Sequence, residues 1–264
     1  MFEASVAGGI PIITPLKQCL TANKITELIG IVNGTTNYML TKMTEQGMDY
    51  DTALARAQAK GYAEADPTAD VAGLDAARKA AILSSIAFNT RVSLEDVKVE
   101  GITNITPEDI TYAKELGYII KLLAIAKHTE DGIDVRVHPT FIDKDHPLAS
   151  VRNVFNAIFI HGNAVGDTMF YGKGAGERPT ASAVLADIID VARDMGKDRF
   201  GKIRCTCYEE KKLCPPDKVL SGYYIRLLVE DKPGVLGAIA TAFGESNVSL
   251  YSVIQKRRVG EFSE

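Results

Sequence analysis

Asp75 and Lys79 stand four residues apart in a stretch that reads as a helix, so the two side chains share one face with the acid preceding the base. An arbitrary pair at this spacing is a solvated ion pair contributing about 0.3–0.5 kcal/mol. Here the same stripe continues through Ile82 and Ile86, which sets the pair at the mouth of an apolar face. Burial and a neighbouring acid act in opposite directions on an ammonium group, which is how a lysine becomes a proton donor near working pH. Glu64 and Asp70 lie in the loop just upstream, Gly61-Tyr-Ala-Glu-Ala-Asp-Pro-Thr-Ala-Asp70. An acidic loop alone is ordinarily just solvated. Three carboxylates and a lysine within sixteen residues nevertheless make the best site candidate in the chain. Its excess negative charge suits a small polar ligand carrying an ammonium group.

A second candidate is the turn Gly172-Lys-Gly-Ala-Gly176 ahead of a helix. Backbone N–H groups at such a place can receive phosphate, but Glu177 occupies the last position of the Gly-x-Gly-x-x-Gly fingerprint. The turn therefore reads as touching part of a nucleotide held mainly elsewhere. Cys19, Cys205, Cys207 and Cys214 read as reduced thiols, and Cys-x-Cys followed by one further cysteine does not match the paired spacing of a zinc site. His128, His138, His146 and His161 are scattered and read as surface or core residues.

The chain that must position these groups has 264 residues, 46% apolar and 24% charged, the composition of an ordinary globular protein of one and a half to two domains. Thirty basic against thirty-four acidic side chains leave a net charge of −4, without the basic field that binds nucleic acid. Apolar runs such as Ile119 to Ala126, broken by Lys121, fall far short of the roughly 20 residues that cross a bilayer. Met-Phe-Glu offers no basic start to a signal peptide, so the expected compartment is the cytoplasm.

Ile25 to Val32 reads as a strand running into the turn Asn33-Gly-Thr-Thr-Asn37. Asp51 to Lys60 reads as a helix stopped by Gly61, and further helices are expected over about Val71 to Phe88 and Pro107 to about Lys127. Ile133 to Pro139 alternates as a strand, and Val154 to Ile160 with Ala164 to Tyr171 reads as a hairpin around His161-Gly-Asn. Thr180 to Met195 has helical periodicity. Residues 199–218 lose periodicity and read as a linker. A βαβ unit follows, with strands at Tyr223 to Val229 and Val248 to Gln255 flanking a helix at Val235 to Glu245. The expected fold is α+β, a mixed sheet packed against helices, plus a partial ferredoxin-like βαβ unit.

Five stretches together resemble the homoserine dehydrogenase family. They are Glu3-Ala-Ser-Val-Ala-Gly-Gly-Ile-Pro-Ile, Gly30-Ile-Val-Asn-Gly-Thr-Thr-Asn-Tyr38, Gly61-Tyr-Ala-Glu-Ala-Asp-Pro, Gly73-Leu-Asp-Ala-Ala-Arg-Lys79, and Gly172-Lys-Gly-Ala-Gly followed by Pro179-Thr-Ala. The resemblance covers about residues 1–200 as a catalytic and dimerisation domain, with 201–220 as linker. Residues 221–264, around Asp231-Lys-Pro-Gly-Val-Leu236, look like part of an ACT regulatory domain.

What the resemblance implies is NAD(P)-dependent interconversion of aspartate 4-semialdehyde and homoserine, in threonine and methionine biosynthesis. By motif, Lys79 would be the proton donor, Glu64 and Asp75 would hold substrate with Asp70 in support, and Gly61, Gly172, Gly174 and Gly176 would line the cofactor cleft. Glu3, with the carbonyls of Val6, Gly8 and Ile10, is similar to a monovalent cation site such as one for sodium. The family's Rossmann domain is not among these residues, so the chain alone is expected to be inactive, and a homodimer through the catalytic domain is expected. The competing reading is an amino-acid-sensing ACT-type dimerisation module without catalysis.

Overall fold

β-Branched residues recur along β1 (Ile25–Ile31), and the chain leaves this strand directly into α1 (Gly34–Gln46). Asn33 caps α1, its side chain accepting from Thr36 N–H, and Gly47 at φ 64° ends it. The computed structural model describes residues 2–195, 205–255 and 262–263. Next come α2 (Tyr50–Ala59), capped by Asp49, a single turn α3 (Thr68–Val71), and α4 (Leu74–Ala87). Gly61 adopts φ 69° beyond α2, as the sequence predicts. The short β2 (Lys98–Val99) precedes α5 (Pro107–Glu115), where Thr106 and Asp109 form a reciprocal capping box. The long hairpin β3 (Tyr118–Thr129) and β4 (Gly132–Asp143), the hairpin β5 (Phe155–Gly162) and β6 (Gly166–Lys173), and α6 (Glu177–Asp194) complete the first part.

The six strands form one mixed sheet in the order β2-β4-β3-β1-β5-β6, antiparallel except where β2 runs parallel to β4. This is the α+β class expected. On one face α1 and α4 bury Met39, Leu40, Met43, Leu83 and Phe88 against Leu28, Ile120, Val135 and Ile158. Each such side chain contributes about 1.5–3 kcal/mol on full burial. A smaller cluster, including Ile31, Leu123, Ile125, Leu148 and Phe159, lies on the opposite face.

Three expectations need correction. The helix from Pro107 stops at Glu115, because Gly117 at φ 85° breaks it, and Tyr118–Thr129 is strand. Ile119 to Ala126 is apolar at nearly every position because β3 is buried on both faces of the sheet, a pattern that periodicity alone cannot separate from a helix. The helix expected from Val71 begins at Leu74, since Gly73 sits at φ 82° and ends the preceding turn.

The third concerns the linker. Residues 201–204 lie outside the described residues, but from Cys205 the segment belongs to the first of two compact units, which divide between Leu220 and Ser221. Glu209 N–H donates to Asn89 O at 2.9 Å, and Cys214 N–H to Ile133 O at 2.8 Å, while Lys212 O accepts from Ile133 N–H at 2.9 Å. Lys211 Nζ donates to Phe88 O at 2.7 Å. The attachment is made largely by backbone groups, which leave no period in the side chains.

In the second unit α7 (Val235–Glu245) forms where a helix is expected, after Gly234 at φ 91°. The described residues carry strand only at β7 (Val229–Glu230), paired antiparallel with β8 (Phe262–Ser263), rather than over Tyr223–Val229 and Val248–Gln255. No residue of α7 is fully buried and only Val235, Ile239 and Phe243 are half-buried, so the helix gives extended neighbours little apolar cover to hold them in a ladder.

Candidate active site

The C-terminal end of β1 meets the first turns of α4, and this junction gathers the charged residues. Lys79 Nζ donates to Asp75 Oδ2 at 2.7 Å and to Val32 O at 3.0 Å. The two side chains are 21% and 30% exposed, neither buried away from a ligand nor free in solvent. Two of the ammonium's three donors are engaged, leaving one for an incoming oxygen. Asn33 Nδ2 donates to Asp75 Oδ2 at 2.9 Å and to Asp70 Oδ1 at 2.7 Å. The site therefore contains two carboxylates, one ammonium and a buried amide between them. Sequence reasoning recognised Asn33 only as part of a turn, because its acidic partners lie 37 and 42 residues further along.

Glu64 is exposed, and among the described residues no hydrogen bond or ion pair joins its carboxylate to Asp70, Asp75 or Lys79. Its backbone is held instead, with Gln58 Nε2 donating to Glu64 O at 3.0 Å. The same loop is fastened to α1 where Thr35 Oγ1 donates to Tyr62 O at 2.6 Å and the rings of Tyr38 and Tyr62 meet edge to face at 5.0 Å. Glu64 thus stands on a positioned loop with its charge available to a ligand.

The candidate cofactor glycines fall into two kinds. Gly61 faces open space, with nothing within 4 Å of a β-carbon built there. Gly172 and Gly174 are tied to packing: a β-carbon at Gly172 would lie 3.2 Å from Ile10 Cγ1, and one at Gly174 would overlap the Asn156 amide. Gly176, at φ 117°, opens α6. The turn rests on the loop of Gly8 and Gly9, where Gly9 N–H donates to Lys173 O at 3.0 Å.

Glu3 is buried, and its carboxylate accepts from the N–H groups of Ile12, Ile13 and Thr14 and from Thr14 Oγ1, at 2.6–2.8 Å. Four donors fill the acceptor capacity of a carboxylate, so this side chain does not fit a cation ligand; it caps the turn that begins at Ile13. Val6, Gly8 and Ile10 lie around a turn closed by Ile10 N–H donating to Ala7 O at 2.7 Å.

A family model described as homoserine dehydrogenase matches residues 11–189, and an ACT domain model matches residues 223–262. A homoserine dehydrogenase of Synechocystis sp. is 48% identical over 264 residues, covering 97% of this chain and 61% of the relative. One of Bacillus subtilis is 47% identical over 96% of this chain and 59% of the relative. The chain thus spans about three fifths of the length of the relatives it matches. The crystal structure of a homoserine dehydrogenase from Thiobacillus denitrificans superposes with a TM-score of 0.86 at 43% identity, over 100% of this chain and 61% of that one. A hyperthermophilic archaeal homoserine dehydrogenase in complex with NADPH superposes at 0.64 with 32% identity, over 75% and 57%. Sequence, fold and the ordered Asn33, Asp70, Asp75 and Lys79 cluster coincide in one conclusion: this chain belongs to the homoserine dehydrogenase family.

Proposed function

We propose that the chain is the substrate-binding and catalytic portion of an enzyme that interconverts aspartate 4-semialdehyde and homoserine with NAD(P), in threonine and methionine biosynthesis. The observation that carries this reading is the half-buried Lys79 ammonium, oriented by Asp75 and Val32 O with one donor unspent. When bound, the reduced nicotinamide supplies hydride to the aldehyde carbon. Lys79 donates a proton to the carbonyl oxygen as negative charge develops there, and the amine it becomes recovers a proton through its solvent-exposed side. Asp75 holds the ammonium in place, Glu64 receives the substrate's amino group, and Asp70 adds the second negative charge that favours a cationic ligand.

Gly61 and the Gly172 to Gly176 turn would line the edge of the nucleotide, with the larger part of its site outside these 264 residues. The NADPH complex of the archaeal relative supports the cofactor class. A monovalent cation at the N-terminal loop would draw on the carbonyls of Val6, Gly8 and Ile10, not on the Glu3 carboxylate. Homodimerisation through the sheet's second face is supported by Met169 and Tyr171, exposed beside the apolar cluster there, with the Tyr171 ring stacked on Phe155 at 5.2 Å. A cytoplasmic location fits this reading, and no helix among the described residues is long and apolar enough to cross a membrane.

The test pairs homoserine titration with homoserine oxidation followed as NAD(P)H absorbance, using the purified chain shown by size exclusion to be folded. Homoserine binding that is lost in Lys79→Ala, without turnover by the chain alone, is the expected result. A folded chain indifferent to homoserine would favour the ACT-type sensing module. Clear turnover would place the nucleotide site within these residues.

A further inference from the structure

Resting on that reading of the site, we infer that Asn33 is the positioning residue that holds Asp70 and Asp75 side by side and thereby fixes the Lys79 ammonium. Its amide is 5% exposed, and every hydrogen-bonding capacity it has is spent. The NH2 group gives one hydrogen to Asp70 Oδ1 and one to Asp75 Oδ2. The carbonyl oxygen accepts from Thr36 N–H and Thr36 Oγ1, both at 2.9 Å. The orientation is fixed by this environment, since the reversed amide would set an oxygen against two carboxylate oxygens and an NH2 group against a backbone N–H.

Two consequences follow. Each acid presents one acceptor oxygen to one amide hydrogen, so the bridge holds the two carboxylates beside each other and offsets their mutual repulsion. Asp75 Oδ2 takes hydrogen bonds from both Asn33 and Lys79, so the amide also determines where the ammonium rests. Asn33 touches no reacting atom. It acts through Asp75 on the proton donor and through both acids on the charge that receives a substrate ammonium.

Asparagine and aspartate cap helices about equally well, which allows the capping role to be separated from the bridging role. Asn33→Asp keeps an oxygen for Thr36 and puts a second oxygen where the NH2 group bridged the acids. Three carboxylates then face one lysine. In the 264-residue chain, carboxyl carbon-13 NMR is expected to show an additional titration step in this variant, moved upward from the ordinary carboxylate range. Homoserine affinity at pH 8 is expected to fall at least about tenfold, as for loss of a charge-assisted hydrogen bond. Affinity should recover in part as pH drops through the new step, because the introduced carboxyl then donates one hydrogen bond in place of the amide.

Asn33→Ser retains a capping oxygen but withdraws both donors, and is expected to lose affinity with no recovery at lower pH. Variants that bind homoserine as the wild type does, with the introduced carboxyl of Asn33→Asp titrating in the ordinary carboxylate range, would overturn the assignment. Should Asn33→Asp fail to fold, the serine variant decides through its affinity. A wild-type chain that ignores homoserine would overturn the proposed substrate site instead, and the carboxyl titration would still decide the role of Asn33.

Discussion

The α-carbon of Gly174 is seated directly on the side-chain amide of Asn156, leaving no room for a β-carbon between them. Asn156 is 1% exposed and faces Gly172 across the β5–β6 ladder, so it has little freedom to move aside. A β-carbon at Gly8 would in turn approach Gly174 O to 2.5 Å. The glycine spacing of this turn is therefore set first by backbone packing at the corner where the N-terminal loop meets the sheet.

Gly174→Ala is accordingly expected to destabilise the fold by roughly 1–3 kcal/mol, the usual range for overpacking a filled site. Gly61→Ala meets no neighbour and is expected to lose only about 1–2 kcal/mol from its left-handed backbone. Urea denaturation of the two variants beside the wild type checks this. A Gly174 variant as stable as the wild type would show that the corner yields.

Glu64 offers the opposite case, a charge with nothing to hold within the fold. Glu64→Gln should leave stability unchanged within about 0.5 kcal/mol, since the carboxylate is exposed and unbonded among the described residues. Homoserine affinity should nevertheless fall if the carboxylate receives the ligand's ammonium. Calorimetric titration beside a thermal melt separates these effects, and equal binding by both proteins would remove Glu64 from the site.

The part of this site that sequence could reveal is the part that is local. Asp75 and Lys79 are four residues apart, and helical geometry alone places them together. Asn33 has partners 37 and 42 residues away, and joining them requires the packing of α4 across the end of β1. Similar reasons govern the fold. The helix start at Pro107 and the break at Gly61 are local and legible. The run through Leu122 and Ile125 becomes strand because sheet neighbours cover both its faces. The segment at Glu209 to Cys214 is fastened mainly by main-chain hydrogen bonds, about which side-chain patterns say nothing.

Lys121 exposes a cost the fold carries within β3. Its Nζ donates to Asn37 Oδ1 at 3.0 Å and to Val151 O at 2.5 Å, both neutral acceptors, and the residue is 2% exposed. Burial first and the nearby Arg152 second lower its pKa from 10.5 to about 8, against the opposing pull of Glu45, itself paired with Arg152 at 3.2 Å. The unfolded chain thus binds a proton more tightly than the folded one, and the contribution of Lys121 to stability rises as pH increases from about 8 to 10.5. The full shift corresponds to roughly 3 kcal/mol. Below pH 8 the native state carries the whole penalty of a buried ammonium. Lys121→Met removes that titration while leaving Asn37 Oδ1 and Val151 O without this donor. Urea denaturation of both proteins at pH 7.5 and pH 10 should show wild type gaining on the variant as pH rises. A constant difference between them would mean that Lys121 keeps the same protonation in the folded and unfolded states.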